Sequence, residues 1–145
     1  MKVVQSIEDV LMEKIIFQKQ VISNFREIDH LNGINQMDTK IQMGQIFEDI
    51  ETCTGKMLEL DLRFTNYFEQ YKRVTGIKSL EELDRNQQKS FTLIQQLVAK
   101  VNSLQDQINN LKDHWAEEDS SIRRIIAETR QKQKATAAYK NINKL

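Results

Sequence analysis

Met43, Ile46, Ile50, Cys53, Met57, Leu60, Phe64, Tyr67, Tyr71 and Val74 follow one another in steps of three and four. Such steps place all ten on one face of an α-helix, whereas a strand would scatter them over two faces. The pattern predicts a helix near 38–75, with Asp38 as its N-cap. Gly44 and Gly55 fall off the stripe, and the run Thr52-Cys53-Thr54-Gly55 is the expected place for a bend.

A second stripe runs Leu80, Leu83, Gln87, Ser90, Ile94, Leu97, Val101, Leu104, Ile108, Leu111, Trp115, Glu118, Ile122 and Ile125. This is a heptad seam, expected to supercoil around its neighbours. Ser79-Leu80-Glu81-Glu82 reads as a capping box that opens the helix, with Thr75-Gly76-Ile77-Lys78 as the preceding turn. Near the N-terminus, Val4, Ile7, Leu11, Ile15, Ile22 and Phe25 form one row, flanked by Val3, Val10, Phe17, Val21 and Ile28. A face that wide suits a helix packed against two others. Asn32-Gly33-Ile34-Asn35 ends it, with Gly33 placed for a left-handed conformation.

The predicted fold is therefore all-α, an up-down-up antiparallel bundle of three long helices at about 3–31, 38–75 and 80–121. A basic extension, 122–145, either continues the third helix or forms a fourth. Short links make consecutive helices antiparallel neighbours. Reflection about residues 34 and 77 then sets residue 4 level with about 65, and residue 38 level with about 116. Two regions are left under-covered on this register. One holds Phe64, Tyr67, Phe68 and Tyr71, a candidate dimer or second contact patch. The other follows Glu117, where Ile122, Ile125 and Ile126 lack an obvious neighbour. With Trp115, these three isoleucines are the candidate partner-binding residues. The alternatives are that the first helix shifts to cover the aromatics, and that Asp119-Ser120-Ser121 breaks the helix so that the tail folds back.

Composition agrees with long helices: there is no proline and there are four glycines in 145 residues, too few turn formers for a strand-rich fold. Charge balances at 21 basic and 21 acidic residues, so the chain as a whole offers no field for nucleic acid or membrane. Its distribution is uneven. Residues 122–145 carry Arg123, Arg124, Arg130, Lys132, Lys134, Lys140 and Lys144 against Glu128 alone, a net +6 that leaves −6 on residues 1–121. One cysteine, Cys53, excludes an internal disulfide and fits a reducing compartment. The N-terminus lacks a signal-peptide core and no stretch is apolar enough to span a membrane, so a cytoplasmic protein without membrane insertion is expected.

Catalytic chemistry is hard to assemble from these residues. Glu27-Ile28-Asp29-His30 has the Glu-x-x-His spacing of di-iron bundles, but His114 has Leu111 three positions before it, so the second copy is missing. Cys53 lies on the apolar stripe and reads as a small core residue. There is no glycine-rich phosphate loop, serine elbow or paired-cysteine motif. Neither an enzyme nor a metal or other cofactor is expected. The aromatics interleaved with basic residues between Tyr67 and Arg73 read as core rather than as a nucleic-acid surface.

In its helix order and length, in the Asn-containing heptads from Val101-Asn102 to Asn110-Leu111, and in the closing Lys134-Ala135-Thr136-Ala137-Ala138-Tyr139, the chain resembles the flagellar type III export chaperones of the FlgN and FliT type. The resemblance implies a cytoplasmic protein that covers amphipathic helices of a hook–filament junction or filament-cap protein and delivers that client to the export gate. It also implies a gate contact near the C-terminus, for which Tyr139 is the candidate. A weak homodimer is compatible with it. The alternative is a self-associating coiled-coil scaffold or adaptor, and a DNA-binding regulator ranks third.

Overall fold

The computed structural model describes residues 2–34, 36–76 and 88–143. Three helices pack against one another: α1 (Lys2–Leu31), α2 (Met37–Thr75) and α3 (Gln88–Asn143). Among the described residues there is no strand. At 1.5 Å per residue the helices measure about 45, 58 and 84 Å.

The ends of α1 and α2 follow local rules. Past the end of α1, Gly33 has φ 92°, a left-handed value that suits a residue without Cβ. The α2 helix starts one residue earlier than expected. Gln36, extended at φ −124° and ψ 145°, occupies the N-cap without a side-chain capping bond, and Asp38 sits in the first turn. There its carboxylate faces the positive end of the helix dipole. At the other end Gly76 takes φ 72° and its N–H donates to the Lys72 carbonyl at 2.9 Å. The α2 helix runs unbroken through Thr52–Gly55, where the Thr52 and Thr54 hydroxyls bond back to the carbonyls of Glu48 and Ile50. The capping box at Ser79–Glu82 lies outside the described residues.

The α1 helix is the central element. Val21 and Ile28 on it are fully buried, and so is Gln18. Gln18 Nε2 donates to the Val101 carbonyl of α3 at 3.0 Å and to Gln105 Oε1 at 3.3 Å. On the other side Lys14 pairs with Asp61 of α2 at 2.5 Å, and the Lys56 ammonium lies 5.3 Å from the centre of the Phe17 ring.

Both reflection registers need correcting. The Lys14–Asp61 pair, carried along both helices, sets Val4 level with Tyr71 rather than with residue 65. The first turns of α1 therefore reach the aromatic end of α2. Tyr71 is only 2% exposed, and Phe64, Tyr67 and Phe68 are half-buried against the same core. Within the patch expected to be bare, Tyr71 is covered and Phe64, Tyr67 and Phe68 are partly so, while Val74 at its end is 68% exposed. Between α2 and α3 the displacement is larger. Reflection about residue 77 sets Gly44 level with about 110, yet Gly44 meets Ile122 and Ile126. The level pairing centres near residue 84.

Candidate partner-binding groove

The second correction reassigns the candidate site. Ile122 is not uncovered; it is 1% exposed and belongs to the core, seated on α2 at Gly44. Ile125 and Ile126 are half-buried. The Asp119-Ser120-Ser121 run does not break α3, which continues as one helix to Asn143. Of the two courses expected for the basic extension, α3 takes the first and continues past residue 121.

Bare surface lies in two other places. The α2 and α3 helices touch each other far less than either touches α1. The gap between them is a groove holding a cavity of about 570 Å³. Phe25 of α1 with Phe47, Ile50 and Trp115, all nearly buried, supply its apolar lining. Gly55 and Leu58 of α2 line it with Ala116 and Asp119 of α3. A Cβ on Gly55 would meet nothing within 4 Å, so a visiting side chain can approach the α2 backbone there. Leu58 is 61% exposed, and Leu62, one helical turn on, is exposed as well.

Two polar bridges tie α2 to α3 along the groove. Arg123 reaches across to Glu51 at 2.8 Å and holds Asp119 of its own helix at 2.5 Å. Burial opposes the charged guanidinium, but the hydrogen bonds it donates to Glu51 and Asp119 more than offset it and raise the Arg123 pKa. Lys112 Nζ donates to the Thr54 hydroxyl at 3.3 Å. The acids and bases at the groove therefore largely neutralise one another, leaving apolar contact as its main means of holding a partner. Trp115, a candidate partner-binding residue, lines this groove, with the His114 ring edge-on at 5.0 Å.

The other bare surface is the end of α3. Every residue from Gln131 to Asn141 is exposed, and Tyr139 stands 70% exposed. His30 is also exposed, and among the described residues no group of three or more His, Cys, Asp or Glu is placed to hold a metal ion. Burial pushes the half-buried Cys53 thiol above its ordinary pKa, opposite to what a nucleophile needs. No described helix is long and apolar enough to cross a membrane.

The structure sets Trp115 beside Phe25, Phe47 and Leu58, which the sequence reading did not single out as a surface. Leu58 and Leu62 carried a signal, two large apolar residues one turn apart and off the main stripe of α2. No protein-family model, curated protein or solved structure matches the chain.

Proposed function

We propose that this chain is a non-enzymatic, cytoplasmic chaperone of the flagellar export kind. It is an up-down-up antiparallel bundle with heptad seams that covers an amphipathic helix of a hook–filament junction or filament-cap protein. Covering that helix prevents premature assembly, and the exposed end of α3, with Tyr139, hands the client to the type III export gate. The observation that carries the reading is the groove between α2 and α3. Its apolar walls and neutralised charges suit helix-in-groove recognition. In this reading Trp115 contacts the client directly, while Ile122 and Ile126 hold α2 and α3 at the spacing the groove requires.

The experiment mixes the purified chain with purified junction and cap proteins and measures complex mass by size-exclusion chromatography with light scattering. The expected result is a one-to-one complex with one of them, formed by a chain that is monomeric or weakly dimeric alone. Leu58→Asp should abolish the complex and leave helicity unchanged, because Leu58 is exposed. A chain that forms a stable oligomer alone and takes neither client is a coiled-coil scaffold instead.

A further inference from the structure

The end of α3 has a composition and an arrangement that the groove does not use. Because Gly44 is level with Ile122 and Ile126, the first turn of α2 is level with about Arg130, and beyond it α3 runs on without a neighbouring helix among the described residues. No acidic residue follows Glu128, whereas Arg130, Lys132, Lys134, Lys140 and Lys144 do. At about 100° per residue, Ala135, Ala138 and Tyr139 share one side of the helix. Lys132 and Lys134 fall on the two margins of that side, Gln131 falls within it, and Arg130 and Lys140 fall on its back.

We propose that this overhang docks α3 onto an anionic lipid surface, lying in the headgroup layer without crossing it. Lysines on the margins of a small apolar face can lay their methylene stems along the membrane and keep their ammonium groups among lipid phosphates. The exposed phenol of Tyr139 suits the same interface, its ring toward the acyl chains and its hydroxyl toward water. A surface built for duplex nucleic acid would present its bases from the face itself; here the two bases nearest the face, Lys132 and Lys134, border it. Four to eight basic residues on such a helix are enough for attachment to anionic membranes. The main attraction is electrostatic, because Ala135 and Ala138 bury little area.

The test is co-sedimentation of the full chain with vesicles of phosphatidylcholine alone and of equal parts phosphatidylcholine and phosphatidylglycerol. Binding is expected only to the anionic vesicles. Neutralising a lysine should weaken it about fivefold, so Lys132→Gln with Lys134→Gln weakens it ~25-fold. Tyr139→Ser weakens it by a smaller factor. The control Lys19→Gln with Lys100→Gln removes as many exposed charges from the body and leaves binding unchanged, as does Leu58→Asp. Equal binding to neutral vesicles, undiminished binding by the Lys132/Lys134 variant, or tighter binding to duplex DNA at the same ionic strength overturns the proposal.

Discussion

Gly44 of α2 lies directly beneath Ile126 of α3, so close that a Cβ on Gly44 would collide with the Ile126 side-chain tip and come within 3.4 Å of Ile122 Cγ2. A glycine inside a helix ordinarily costs about 1 kcal/mol relative to alanine. Here it allows the two helices their close approach. Gly44→Leu should destabilise the chain by about 2 kcal/mol through overpacking. Combining it with Ile126→Ala should recover part of that loss. A double-mutant cycle in urea measures the coupling, and strict additivity would show that the two residues do not share the space.

Gly55, also inside α2, differs. Its Cβ would meet nothing, so Gly55→Ala should stabilise the helix by about 0.5–1 kcal/mol in thermal unfolding. Gly55→Trp should keep the fold and obstruct client binding, because Gly55 lines the groove. Client affinity unchanged by the tryptophan would place the client elsewhere.

Gln18 is a polar residue at the centre of the core, joined to α3 through Val101 and Gln105, with its Oε1 buried and unpartnered. Replacing it with leucine removes that unsatisfied oxygen along with two modest bonds, so the net change should stay within about 1 kcal/mol. Gln18→Ala leaves a cavity and should cost about 2–4 kcal/mol. Equal losses for the two variants in chemical denaturation would mean that the hydrogen bonds, not the volume, hold α1 against α3.

Ile122 and Leu58 should separate fold from function. Ile122→Asp sets a carboxylate at a position 1% exposed and should cost about 3 kcal/mol or more, visible as lost helicity or a lower midpoint. An Ile122→Asp chain as stable as the parent would contradict the packing of α3 on α2. Leu58→Asp should unfold at the parent temperature.

The helical stripes were legible because period alone decides which residues share a face. The ten-residue stripe of α2, the wide face of α1 and the seam of α3 all lie in the observed helices where described. Register was less legible, because it depends on where each link centres, and stripes of like period slide past one another without penalty until specific residues fix them. Three such residues were readable afterwards. Gly44 marks the close approach, and Gln18 fills the step of seven from Ile15 to Ile22 in the α1 row. Lys14 fixes α1 on Asp61. The displaced register moved Ile122 from bare surface into the core and drew α1 over Tyr71. The groove was invisible for a related reason: it arises from the separation of α2 and α3, a property of no single helix.

Trp115 is the chain's one tryptophan and lines the groove, so its fluorescence reports occupancy without any label. The direct measurement is acrylamide quenching of Trp115 during titration with the junction or cap protein's amphipathic helix as a tryptophan-free peptide. Quenching should fall and saturate at one equivalent, and Leu58→Asp should abolish the change. A peptide that binds while Trp115 quenching stays constant would contradict a client seated between α2 and α3.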